Sequence, residues 1–437
     1  MRPRREEQAL EEIGRTRIGT ASALLLLMAL AVTLTAPPLA RWLEAGTEGT
    51  EQVTSPLLAV RQLAGSVTGG LDTLAGEGLL AGNREILAGI ESFEDRLEEG
   101  SLLRQRLLPP AQLFLTARLG AGNEQAYVGE DGWLYYRPDV DHLTGPGFLS
   151  PEIVERRRRS GNTWERPPEP DPLPALERFA ADLAERGIEL WLLPTPVKPA
   201  LEPDRLARRP AAAVPLSNPS RSELAERLER AGLVSLDAAR WLAEGRDEEP
   251  LYLETDTHWA PNAMERVAER LAAELGRRLA AGGAAVEESA PAYVRRSVSV
   301  EGRGDIQVML DLPQWQTIFG PQTVEVEMVL TATGRGWRPT PGAAVLLLGD
   351  SFTNVYSEAA LGWGQGAGLA EQLSYFLHRP IDRIALNAGG ASASRRALLE
   401  ALAADPARLD ETRVVVYQFA ARELSAGDWV VLPLPAR

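Results

Sequence analysis

Ala343-Ala344-Val345-Leu346-Leu347-Leu348-Gly349-Asp350-Ser351-Phe352-Thr353 is the stretch that decides the fold. Its six apolar residues read as a strand buried on both faces. The glycine at the exit permits a tight turn, and a serine there can point into a crevice with its own N–H exposed. Outward from this strand the pattern alternates. Pro174–Gly187 is an amphipathic helix feeding the apolar run 188–193, and Ser222–Gly232 is another, feeding Leu233–Leu236. A long helix follows Pro261, with Met264, Val267, Leu271 and Leu275 on its apolar face. Leu369, Leu373, Phe376 and Leu377 mark a helix before a strand over Ile381–Leu386, and Ser392–Ala404 is helical before the strand 413–419. Apolar strands alternating with helices predict an α/β domain whose mostly parallel sheet is covered on both faces. Residues 286–340 depart from this rhythm: Ser297–Val300 and Thr323–Val329 predict an inserted β element.

The chain has 437 residues, 44% of them apolar and 24% charged, which excludes a disordered, collagen-like or coiled-coil protein. Its net charge of −15 argues against nucleic acid as a partner. With no cysteine, disulfides, thiolate metal sites and thiol nucleophiles are excluded, and three histidines leave little room for a metal cage. No residue from Ile18 to Ala40 is charged, and these 23 residues suffice to cross a hydrocarbon core of about 30 Å. Five arginines precede the run and Arg41-Trp42 closes it. The charge bias predicts a cytoplasmic tail over 1–17, a single-pass signal anchor in the inner membrane over 18–40, and export of the remainder. A cleaved signal peptide is the rival reading. The apolar run is longer than such segments need, and Pro37-Pro38 spoils the cleavage site. Residues 41–120 read as a stalk and helical linker, interrupted by Pro109-Pro110, and 121–437 as the α/β domain.

In an open parallel sheet, ligands bind beyond the carboxyl ends of the strands. That rule singles out Gly349-Asp350-Ser351, although such turns are common as simple N-caps. A serine becomes a nucleophile only beside a base, which in turn needs an orienting partner. His258 lies in Leu253-Glu254-Thr255-Asp256-Thr257-His258-Trp259, and Asp256 would share one side of an extended segment with it. His378 falls at a helix C-terminus and reads as structural. His142 lies in a loop rich in Asp and Gly, where surface and substrate roles are both open. Lys198, the only lysine, follows a strand on the crevice side; contact with an acidic sugar and a plain surface position are both open. Trp133, Tyr135 and Tyr136 alternate as strand core rather than as a sugar platform. Arg156–Arg159 reads as a solvated loop in preference to a polyanion-steering patch. No metal or cofactor is expected.

Gly349-Asp350-Ser351 after a buried strand, with Asp256-Thr257-His258-Trp259, resembles the SGNH-hydrolase-like alginate O-acetyltransferases of the AlgJ/AlgX type. Further similar stretches are Tyr127–Asp139 with Leu143-Thr144-Gly145, then Pro196–Pro199, Gly304-Asp305, Leu386–Gly390 and Arg422-Glu423-Leu424. The resemblance spans about residues 90 to 430. It implies a three-layer sandwich with permuted motif order, in which Asp-x-His precedes the serine. It also implies Ser351 as nucleophile, His258 as base and Asp256 as its orienter. The oxyanion hole would use the N–H of Ser351 and an N–H of the Asn387–Gly390 loop, at Gly389 or Gly390. The Gly-x-Asn-Asp block of ordinary SGNH esterases is missing, and Tyr417 or Gln418 stands where a third donor would. Lys198, Arg422 and Trp259 would contact substrate. The implied function is acetyl transfer to an exopolysaccharide outside the cytoplasmic membrane, with a multi-pass membrane O-acyltransferase passing acetyl groups across. An acetylesterase with the same triad and a non-catalytic polysaccharide-binding protein are the alternatives.

Overall fold

Strand β1 (Ala126–Val128) pairs antiparallel with β2 (Leu134–Tyr136) in a short hairpin that opens the domain. Next come β3 (Glu189–Thr195) and β4 (Val234–Ser235), then the long antiparallel pair β5 (Tyr293–Gly302) and β6 (Gln322–Thr331). Strands β7 (Val345–Gly349), β8 (Asp382–Ala385) and β9 (Val414–Ala420) complete the set. The computed structural model describes residues 102–160, 166–207, 214–244, 249–281 and 293–435, together with Met28, Gly65, Thr68 and Gly69. The expected anchor at 18–40, apart from Met28, and most of the stalk lie outside the described residues. Among the described residues no helix is long and apolar enough to cross a membrane. The chain divides into two units, Met1–Ala111 and Gln112–Arg437. The helix Leu102–Leu119 runs through Pro109-Pro110 instead of stopping there. The fixed proline φ is itself helical, so the two prolines cost donors and ring clashes but do not forbid the turn.

Five strands form one sheet in the order β4-β3-β9-β7-β8, and every neighbouring pair is parallel. Side chains alternate between its faces. Val345, Leu347, Val414 and Val416 enter one core with Met264, Val267, Leu271 and Leu275 of helix Pro261–Ala281. Leu346, Leu348, Val415 and Tyr417 enter the other, against Leu176 and Phe179 of helix Leu173–Ala184 and Leu398 of helix Ala393–Ala404. Helix, sheet and helix thus make three layers, as expected. Continuous apolar runs suit these strands because neither face meets water.

The β5–β6 pair stands outside the sheet, as the broken rhythm of 286–340 predicts. Two expectations need correction. Arg156–Arg159 closes the helix Pro151–Arg159 rather than forming a loop, and cations there face the negative end of the helix dipole. His142 lies in the helix Arg137–Thr144 and is buried, not on a loop.

Between β5 and β6 the chain passes Gly304, which lies against the 255–256 backbone. A Cβ at Gly304 would sit 2.0 Å from the Thr255 carbonyl oxygen and 2.6 Å from the Asp256 nitrogen. Backbone cannot yield as a flexible side chain does. Gly304→Ala is therefore expected to destabilise the fold by about 1–3 kcal/mol. Gly320→Ala, where a Cβ meets open space, should stay within about 0.5 kcal/mol of wild type. Urea denaturation midpoints of the two variants, measured side by side, check this.

Candidate active site

The loop between Tyr252 and Trp259, closed by an isolated antiparallel bridge, carries the Asp-x-His pair. It is a turn rather than the extended segment expected, because Asp256 folds the chain over its own side chain. Asp256 Oδ1 accepts the backbone N–H of His258 at 2.9 Å and its Nδ1 at 2.6 Å. Oδ2 accepts the Asp305 N–H at 3.0 Å and the Trp363 indole N–H at 2.8 Å. Burial would raise the Asp256 carboxyl, but His258 and these donors hold it below the usual carboxylate range. Burial likewise opposes a charged imidazole, yet Asp256, with Asp305 behind it, raises His258 above its ordinary value. With Nδ1 clamped, the buried Nε2 of His258 has no hydrogen-bond partner. Its ring packs 4.9 Å from that of Phe352, centroid to centroid, and Phe352 follows Ser351 in sequence.

Ser351 opens the short helix Ser351–Asn354 at the exit of β7, so its N–H has no intrahelical acceptor. Asp350 builds this turn. Its Oδ1 caps the Phe352 N–H at 2.8 Å and accepts Gln418 Nε2 at 2.9 Å, while Oδ2 accepts the Ala420 N–H at 2.7 Å. Gly349 is required at the exit: a Cβ there would lie 2.2 Å from Thr353 Oγ1. Ser351, Gly389, Gly390 and Arg422 line one small cavity of about 50 Å³ at the carboxyl ends of the strands. Arg422 donates to the fully buried Asp139 at 3.1 Å. Burial opposes its charge, but Asp139, Asp350 and Glu423 raise its pKa, so it stays cationic.

Four expected residues serve other ends. Gln418 cannot supply an oxyanion donor, because Nε2 donates to Thr195 Oγ1 at 2.9 Å as well as to Asp350, and Oε1 accepts the Asp350 N–H and the Thr353 hydroxyl. Tyr417 cannot either, since its hydroxyl donates to the Ala391 carbonyl inside the core. Trp259 is fully buried and donates to the Phe352 carbonyl at 3.1 Å, so it meets no substrate. Lys198 is fully buried too, with Nζ on the carbonyls of Leu134, Glu254 and Asp256 at 2.6, 2.7 and 3.2 Å. It has no N–H left for a sugar. His142 holds Ser425 Oγ at 2.6 Å, and burial pushes it down to about 4 with help from Arg422, which keeps it neutral. His378 caps the helix Leu369–Leu377 with a left-handed φ of 52°, a structural position as expected.

Sequence reasoning missed Trp363 altogether and saw Asp305 only as part of a motif. Asp305 also accepts the Thr257 N–H at 2.8 Å and the Thr257 hydroxyl at 2.6 Å, and its Oδ2 lies 3.8 Å from His258 Nδ1. Asp256, His258 and Asp305 place their ligand atoms within 4.8 Å of one another. All four carboxylate oxygens already accept N–H or O–H groups, so the set fits a proton carrier better than a cation site.

A family model described as "SGNH hydrolase-like domain, acetyltransferase AlgX" matches residues 126–421. The chain is similar to the probable alginate O-acetylase AlgJ of Pseudomonas aeruginosa, 30% identical over 154 residues. That stretch covers 35% of this chain and 34% of the relative, about a third of its length. Among solved structures it is similar to the O-acetyltransferase domain of Pseudomonas putida AlgJ, with a TM-score of 0.50 and 18% identity over 69% of this chain and 93% of that one. It is also similar to Pseudomonas aeruginosa AlgX, with a TM-score of 0.45 and 18% identity over 69% of this chain and 66% of that one. At such identities the structural likeness is one of fold. The match over residues 126–421, well over half of the chain, places this protein in the AlgJ/AlgX-type acetyltransferase family, whose domain is SGNH-hydrolase-like.

Proposed function

We propose that this chain is an O-acetyltransferase that moves acetyl groups onto hydroxyls of an alginate-like exopolysaccharide, with Ser351, His258 and Asp256 as its triad. The observation that carries this reading is the buried imidazole of His258, clamped at Nδ1 by Asp256 and free at Nε2 beside Phe352. A structural histidine with that burial would have both nitrogens engaged. The relatives named as O-acetylase or O-acetyltransferase support the reaction class.

In this reading Ser351 Oγ attacks the acetyl carbonyl as His258 Nε2 takes the hydroxyl proton. The negative charge on the tetrahedral oxygen is met by the N–H of Ser351 and an N–H of the Gly389–Gly390 loop. Collapse breaks the bond to the leaving group, which takes the proton from His258, and leaves acetyl-serine. A sugar hydroxyl then gives its proton to the same Nε2 and attacks the ester, restoring Ser351. Asp256 stays ionised throughout and stabilises the imidazolium. Arg422, cationic at the cavity wall, meets the acidic sugar. The apolar run at 18–40 would anchor the chain in the inner membrane with its catalytic domain on the periplasmic side. Acetyl-CoA is absent there, so a multi-pass membrane O-acyltransferase would supply acetyl groups.

The direct test is incubation with an activated acetyl ester, with and without oligosaccharide. Acetylated sugar is expected; release of acetate alone would make the protein an esterase, and transfer surviving Ser351→Ala would remove the triad reading. Asp256→Asn should lower kcat by about 10³- to 10⁴-fold, since the imidazole loses both its tautomer and its counter-charge.

The pH dependence has a definite sign. His258 must be neutral to accept a proton, and its pKa is raised. The acid limb of kcat/KM should therefore fall above the ordinary histidine value of about 6.5. Asp305→Asn removes a second negative charge that also raises His258, so it should move that limb to lower pH with a much smaller loss of rate than Asp256→Asn. Rate–pH profiles of the three proteins check both statements.

A further inference from the structure

We infer that Lys198 is a positioning residue for the Asp256–His258 pair, a buried three-way staple that fixes the backbone of the Asp-x-His turn against the β1–β2 hairpin. The inference rests on the triad reading above and assigns a role to a residue that touches neither substrate nor reacting atoms.

Every other basic residue among the 46 is arginine. At 198 an ammonium is needed, because three carbonyls converge on one point. Leu134 O lies at 2.6 Å, Glu254 O at 2.7 Å and Asp256 O at 3.2 Å, matching the three N–H bonds of one tetrahedral nitrogen. A planar guanidinium would spread its donors too far apart to meet them. Two of these carbonyls flank Thr255 in the turn, and the third belongs to β2. The same Glu254 carbonyl also accepts the Leu134 N–H at 2.9 Å, so hairpin and turn are joined twice. The rings of Trp133 and Tyr135, 4.8 and 5.1 Å from Nζ, enclose the cation.

Taking an ammonium fully out of water is costly, and burial drags Lys198 down to about 7 against the pull of Asp256, Asp305, Asp139 and Glu202. Such a group stays buried only where its contacts matter to the surrounding structure. Here one of the three falls on Asp256 itself and a second on the same turn. Lys198 holds the Asp256 carbonyl, while Trp363 and the Asp305 N–H hold its carboxylate. The charged groups facing His258 are Asp256, Asp305, Arg422 and Asp139, with the Lys198 ammonium behind the Asp256 carbonyl.

The test exploits the composition. With three histidines and one lysine in the chain, selectively labelled protein gives an NMR spectrum that can be assigned by single substitutions. In Lys198→Met the turn loses its staple, the Asp256–His258 contact slackens, and the His258 pKa is expected to fall by about one pH unit. Loss of a nearby positive charge alone would move it the other way, upward. His142 and His378 should keep their wild-type signals, reporting an intact fold, and kcat should drop at least tenfold with KM little changed. Lys198→Arg keeps the charge without the three-way geometry and should show the same downward movement, smaller; it serves as the readout if the methionine variant does not fold. In the wild type, the single lysine ammonium signal should exchange slowly with water. A folded variant whose His258 pKa stays put or rises, or a rapidly exchanging ammonium in the wild type, overturns the inference. Neither NMR measurement uses turnover, so failure of the acetyl-transfer reading would show separately, as unchanged polymer acetylation in Ser351→Ala.

Discussion

Asp256 carries its charge where only 2% of its surface meets solvent, and the candidate site exists because four N–H groups converge on it. An unpaired carboxylate in that position would be protonated or would drag water inward. Its donors come from separate parts of the chain: His258 from the turn itself, Asp305 from the excursion between β5 and β6, and Trp363 from the segment after β7. The β5–β6 excursion is therefore part of the candidate site, although it lies outside the main sheet. Without it, the Asp256 carboxylate that clamps His258 Nδ1 would lose one of its four donors, the Asp305 N–H.

Asp350 does on the serine side what Asp256 does on the histidine side. Its carboxylate gathers the Phe352 and Ala420 N–H groups and the Gln418 amide, which ties the exit of β7 to the end of β9. Gln418 extends the tie to Thr195 at the end of β3. Three central strands are thereby locked at the edge where Ser351 emerges. Phe352 joins the two halves: its ring lies against those of His258 and Trp259, and its carbonyl accepts the Trp259 indole N–H. The Ser351 turn at the sheet edge and the His258 loop are thus packed together through Phe352, with the Tyr356 hydroxyl on the Trp259 carbonyl as a second tie.

How much of this could be read beforehand follows from what each feature depends on. The strands were legible because burial on both faces writes itself as a run such as Val345–Leu348. Ser351, His258 and Asp256 stood out because strand exits and short spacings are local facts. Lys198 and Trp259 looked like substrate contacts because both sit beside the site, yet both are fully buried. Nothing local says which way a side chain beside a site will point. Tyr417 and Gln418 failed as donors for a related reason: the alternation of β9 turns one into the core and the other toward Asp350. Trp363 gave no signal beyond that of a core aromatic, since its link to the site is a hydrogen bond to a residue 107 positions away.

The raised pKa of His258 sets a limit on how the proposed chemistry can run. One nitrogen, Nε2, must take a proton from Ser351, release it to the leaving group, and later take another from the incoming hydroxyl. A stronger base speeds both abstractions and slows the release between them. Asp256 makes the imidazole more basic, while burial of the ring and the positive charge of Arg422 pull the other way. The opposing influences act on the same nitrogen pair from fixed positions, so the balance is set by geometry and not by solvent. A base that served hydrolysis alone would face the same compromise. What separates transfer from hydrolysis must then lie in which hydroxyl reaches Ser351 first, and the walls of that approach include Arg422 and the Gly389–Gly390 loop.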